Sequence, residues 1–117
     1  MTTTIWDMVN ELYRRSNRSL HEDLEYYMQH GYIFSGPDYC LIGCRIGDGW
    51  YIQCAAGVGA MEHFCKFMPY YLPYIGWRRE KRNNEIAWYP TELILRKVNY
   101  ARRITKFAET TSSTNKG

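Results

Sequence analysis

No stretch of this sequence approaches the roughly 18 consecutive apolar residues that a membrane-spanning helix needs, so no membrane partner is expected. The opening residues, MTTTIWDMVNEL, have neither a basic start nor a long apolar run, and no signal peptide is expected from them. Cysteine is sparse and unpaired in pattern: Cys40, Cys44, Cys54 and Cys65 all sit in apolar runs, no CxxC pair is present, and His63 is the one histidine near them. A zinc site needs four convergent ligands, usually as close pairs, so no metal site is expected and buried free thiols in a reducing compartment are. The carboxylates Asp38, Asp48 and Glu62 are too scattered for a carboxylate metal site, and no Ser, His, Asp arrangement suggests a nucleophilic triad. Internal repeats and linkers are also missing. A single globular domain over residues 1–108 is expected, followed by a polar, small-residue tail at 109–117, ETTSSTNKG.

What the chain does have is aromatic surface. In 117 residues there are 11 tyrosines and 4 tryptophans, and 45% of the sequence is hydrophobic, enough to bury a core. Rings with a polar tip suit half-buried sheets and interfaces, so part of this surface is expected to meet a protein partner. The net charge of +3 is mild but unevenly placed. Arg78, Arg79, Lys81, Arg82, Arg96, Lys97, Arg102, Arg103 and Lys106 face only Glu80, Glu85 and Glu92 in the same segment. That excess suits phosphate, nucleic acid or an acidic protein surface, or else forms a solvated face.

Helical signals come first along the chain. Thr4 with Asp7, then Ile5, Met8, Val9 and Leu12, predict an amphipathic helix ending near Arg15. Ser19 with Glu22 predicts a second, with Leu20, Leu24, Tyr27 and Met28 on one face and Gly31 as a left-handed stop. Tyr32 to Ser35 and Tyr39 to Ile46 read as strands around a Gly36-Pro37-Asp38 turn, with Gly43 marking a bulge or a close backbone approach. Gly47-Asp48-Gly49 returns the chain antiparallel through Trp50 to Cys54.

The stretch from Trp50 to Arg79 organises the rest. An apolar strand breaks at Ala55 to Ala60, helical spacing places Met61, Phe64, Cys65 and Met68 inward, and PYYLPY is expected to pack over the sheet. Tyr74 to Arg79 and Glu85 to Tyr89 read as a hairpin across the polar turn Glu80 to Asn84, with Trp77 and Trp88 packed across it. Pro90 and Thr91 start the last element, a helix from Glu92 to about Phe107 carried by Ile94, Leu95, Val98, Ala101 and Arg102, although TELILRKV alone also suits a strand. The fold class is therefore α+β: a small, mainly antiparallel sheet of about five strands, mixed in direction and flanked by helices. The glycine turn leaves main-chain N–H groups at a helix N-terminus, which makes Gly57, Val58, Gly59 and Ala60 a candidate phosphate cradle.

This order of helix, helix, three strands, glycine turn, helix, strand, strand resembles a reduced core of the GNAT acyltransferase fold, without its first strand and without the helix between its last two strands. The resemblance covers most of residues 4–98. The family seats its acyl-CoA pyrophosphate on a turn reading Gln or Arg, two residues, Gly, any residue, Gly or Ala. Gly57-Val58-Gly59 matches its glycines, while Gln53 stands four residues before Gly57 rather than three. The chain also resembles short bacteriophage proteins in which a P-W-x-R type segment follows, here Pro73 through Trp77, Arg78 and Arg79. The resemblance implies a phage accessory protein, in a host cytoplasm or virion, that binds a protein partner through Tyr71, Trp77, Arg78 and Arg79. Its alternatives are an acyltransferase using acetyl-CoA at Gly57–Ala60, and nucleic-acid binding through the basic C-terminal segment. The family's base and tyrosine have no matching positions here. Tyr70, Tyr71 and Tyr74 follow the third helix, and Glu62 and His63 are ionisable within it, but no catalytic residue is assigned.

Overall fold

A computed structural model of the protein describes residues 4–67 and 72–99. The first helix, α1 (Ile5–Arg15), opens on a complete capping box. The Asp7 N–H donates to the Thr4 hydroxyl at 3.1 Å and the Thr4 N–H donates to the Asp7 carboxylate at 3.0 Å. Its inward row is Ile5, Val9 and Tyr13, whereas Met8 and Leu12 are exposed. The expected stripe is thus rotated, because Tyr13 packs in a cluster with the small residues Cys54 and Ala56, which leave room for a ring.

In α2 (Leu20–His30) the Glu22 N–H donates to the Ser19 hydroxyl at 3.2 Å. Tyr27 is buried, Leu20 and Leu24 are half-buried, and Met28 points to solvent instead of joining them. Gly31 is not a left-handed stop: its φ is −142°. A side chain is excluded there for a different reason, since a Cβ would lie 2.2 Å from the Gly43 carbonyl oxygen.

Five strands follow: β1 (Tyr32–Ser35), β2 (Tyr39–Ile46), β3 (Gly49–Gly57), β4 (Tyr74–Arg79) and β5 (Glu85–Pro90), with α3 (Ala60–Phe67) between β3 and β4. Their spatial order is their chain order, and every neighbouring pair is antiparallel except β3 with β4. Parallel neighbours cannot be joined by a tight turn, and α3 supplies the crossover. Strand β3 continues three residues past Cys54, so Ala55, Ala56 and Gly57 belong to the sheet and the turn shrinks to Val58 and Gly59. A fourth helix, α4, begins at Thr91 and is described through residues 91–99. Met68 and the first three residues of PYYLPY lie outside the described residues, as does everything after 99; Leu72 is buried.

Helices cover both faces of the sheet. On one, α1 packs on β2 and β3 and α2 on β1 and β2, around Val9, Tyr27, Ile42 and Cys54. On the other, Phe64 of α3 and Ile94 of α4 close over Leu41, Ile52 and Ile75. The two tryptophans of the last hairpin do not meet, because their register puts them on opposite faces: Trp77 stands opposite Ala87 and Trp88 opposite Gly76. Trp77 instead stacks on Tyr89 with ring centroids 4.9 Å apart, and Trp88 lies over Gly49 and Gly76.

Phe64 is 1% exposed, and Phe64→Ala is expected to cost about 3–5 kcal/mol in urea unfolding through the cavity it leaves. All four cysteines are buried free thiols, and burial pushes Cys54 and Cys65 up to about 11 from an ordinary 9.0. The folded protein therefore holds these protons where the unfolded chain releases them. Stability is expected to be steady below pH 9 and to fall between pH 9 and about 11, with a shallower fall in Cys54→Ala, as read by urea midpoints.

Candidate ligand-binding cleft

The parallel ladder between β3 and β4 holds for three pairs only: Gly49 with Tyr74, Trp50 with Ile75 and Tyr51 with Gly76. Immediately beyond it, β3 is bulged. Ile42 of β2 faces Cys54 and Gly43 faces Ile52, which leaves Gln53 as the extra residue. A bulge sharpens local twist and bends its strand, so β3 and β4 diverge from this point. The gap between them is a cavity of about 880 Å³. Its walls include Ile52 and Gln53 from β3 and Trp77 and Arg78 from β4, with Met61 of α3 on one face and Arg15 and Arg18 of the α1–α2 junction on the other. The layers on both faces of the sheet thus contribute to its lining.

Several polar side chains are held in place here. The Tyr51 hydroxyl donates to Gln53 Oε1 at 2.6 Å, tying the bulged residue to its own strand. Arg78 lies 5.8 Å from the centre of the Tyr51 ring and donates from Nη1 to the Asn84 carbonyl at 2.9 Å. Burial pushes the Tyr51 phenol up, and the Arg78 charge pulls it part of the way back. Arg18 Nη2 stands 3.5 Å from the Asp23 carboxylate. Glu80 and Asn84, at the ends of the single 3-10 turn and its left-handed exit, complete the β4 side.

The glycine turn is more closed than a bare cradle. The Val58 N–H donates to the Asp38 carbonyl at 2.8 Å, and a Cβ on Gly57 would sit 2.0 Å from that same oxygen. Gly59 is different: it has φ +79°, and open space surrounds the place of a Cβ. Among the described residues, the N–H groups of Gly59, Ala60 and Met61 have no acceptor, and the first bond of α3 is His63 N–H to the Gly59 carbonyl. The candidate cradle therefore narrows from Gly57–Ala60 to Gly59–Met61. Val58 contributes an exposed side chain only.

Of the residues picked out for partner binding, Trp77 and Arg78 are brought together on the cleft wall. Arg79 turns away to donate to the Tyr89 hydroxyl, and Tyr71 lies outside the described residues. His63 shares a 3.0 Å hydrogen bond with Tyr39, and its ring packs 4.5 Å from Phe67, so it is not among the cleft residues. Arg96 pairs with Glu92, and the basic residues 102–106 are outside the described part. Sequence reasoning missed Tyr51, Arg15 and Arg18, and weighed Gln53 only as an offset match to the family's glycine turn. The arginine-dense RRSNR between the first two helices was the available signal for Arg15 and Arg18.

The chain matches no protein-family model, no curated protein and no solved structure.

The bulge predicts an asymmetry between two deletions. Gln53 has no cross-strand partner, so deleting it leaves Tyr51 and Cys54 on the α1–α2 face and should preserve the fold. Ala55 is paired with Leu41, and deleting it forces part of β3 onto the wrong face. Melting followed by circular dichroism is expected to show a small loss for the first deletion and a large one for the second. Equal losses would show that the bulge is not a local insertion.

Proposed function

We propose that this chain is a small binding protein on a reduced GNAT-like fold, an accessory protein of the bacteriophage type, and that its β3–β4 cleft receives an acyl-CoA-type ligand. The observation that carries this reading is the parting of β3 and β4 after three residue pairs, beside a glycine turn with unpaired amides. A pyrophosphate group suits the Gly59, Ala60 and Met61 amides, because the N-terminal end of α3 presents donors and a favourable dipole to an anion. The apolar arm of the ligand has Ile52, Met61 and Trp77 to lie against.

Binding without turnover is the favoured form. Among the described residues, no cysteine or histidine lines the cleft. Acyl transfer to an amine is the second reading, and Glu80 is what favours it: this carboxylate on the cleft wall can take a proton from an incoming ammonium.

Calorimetry against acetyl-CoA and CoA tests the reading. Micromolar binding, about −8 kcal/mol, is expected for one of them. Gly59→Val forces a β-branched residue into a left-handed backbone at φ +79° and should weaken binding about tenfold or more with the helices intact by circular dichroism. Undiminished affinity in a folded variant overturns the cradle, and no heat with either ligand overturns the acyl-CoA assignment. Release of free CoA thiol in the presence of amines, lost in Glu80→Gln, would establish turnover.

A further inference from the structure

The cleft is lined from the α1–α2 face of the sheet as well as from the α3 face, and at the α1–α2 mouth its charge is one-sided. Arg15, Arg18 and Arg78 line the cavity against a single carboxylate, Glu80. Each guanidinium is tethered by one part of its fork. Arg15 donates through Nε to Glu11 at 3.2 Å, Arg18 meets Asp23 through Nη2, and Arg78 donates through Nη1 to a carbonyl. Five N–H donors per arginine leave several on each for something else. Arg78 carries the clearest vacancy: among the described residues its partners are the Asn84 carbonyl and the Tyr51 ring, neither of them an anion.

A recess of about 200 Å³ shares Ser16, Arg18, Gln53 and Ala55 with the main cleft and extends it toward Leu12 and Tyr13. The Tyr13 hydroxyl is itself sealed from that space, and burial and the neighbouring Asp23 carboxylate keep it protonated. The polar groups that the recess adds to the cleft are therefore the Ser16, Arg18 and Gln53 side chains.

We infer that the α1–α2 mouth of the cleft is an anion-recognising subsite, formed by Arg18 and Arg78 with Arg15 at its rim, which takes a small ligand bearing a carboxylate or phosphate. Asp23 acts as a positioning residue: its carboxylate holds the Arg18 guanidinium toward the cavity. The inference rests on reading this cleft as a ligand site. It is independent of the amides of Gly59–Met61 at the start of α3, so the two assignments fail separately.

Thermal shift and calorimetry at low ionic strength, with succinate, inorganic phosphate and the uncharged succinamide as probes, test it. Succinate or phosphate is expected to raise the melting temperature, and succinamide is not; whichever acid binds tighter identifies the group recognised. Arg78 is exposed, so Arg78→Gln removes a cation without disturbing the core and should weaken the acid by about tenfold or more. Arg78→Lys should recover only part of that loss, because an ammonium lacks the planar fork. Asp23→Asn should weaken the acid less than Arg18→Gln does, with an unchanged far-ultraviolet spectrum. The subsite is refuted if neither acid shifts melting, if succinamide matches succinate, or if Arg18→Gln and Arg78→Gln both bind as the parent does. Acetyl-CoA titrated into these variants separates the two assignments: Gly59→Val should lose CoA and keep the acid, and Arg78→Gln the reverse.

Discussion

The short parallel ladder between β3 and β4 is the constraint on which the rest of this molecule depends. Three residue pairs are enough to hold the two halves of the sheet together, and too few to close it. Strand β4 itself runs on to Arg79, paired with β5, so the ladder ends although β4 does not. The local feature at that point is the extra residue at Gln53, which bends β3. On the α3 face, Phe64 of α3 and Ile94 of α4 pack in one buried cluster with Ile52 and Ile75, beside the point of divergence.

A gap lined from both faces of a sheet has two chemically different sides. Near the α3 side the donors are main-chain amides at a helix end, where glycine at position 59 takes a φ of +79° without strain. On the α1–α2 side the donors are guanidinium groups on long side chains, tethered by Glu11, Asp23 and Asn84. Tethering matters because an arginine already held in one geometry loses less freedom when it meets a ligand. Between the two sides the walls are aromatic and aliphatic.

Much of the architecture was legible locally. Capping boxes, turn glycines and runs of β-branched and aromatic residues depend on neighbours within four or five positions, so both N-terminal helices, all five strands and the α3 crossover could be read directly. Errors arose where a residue answers to something distant. Gly31 looked like a helix stop but is small because of the Gly43 carbonyl across the sheet. Met8, Leu12 and Met28 had the spacing of core residues and lost their places to Tyr13 and Tyr27, whose rings cover the small Cys and Ala side chains beneath them. Trp77 and Trp88 were assigned to one face, though the register of a hairpin alternates sides with every residue.

The candidate site divides along the same line. That a glycine turn would precede a helix, and that it would present free amides, followed from residue types alone, since only glycine takes such backbone angles cheaply. Which amides remain free did not, because the Asp38 carbonyl that occupies Val58 comes from a turn 20 residues earlier. The bulge at Gln53 was equally hidden, for it exists only as a mismatch in count between two paired strands. The meeting of Arg15 and Arg18 with Arg78, more than 50 residues apart in the chain, is a product of the sheet's strand order. Chain-local physical chemistry sets which elements form. Long-range pairing sets where they part, and in this protein the place where they part is the candidate site.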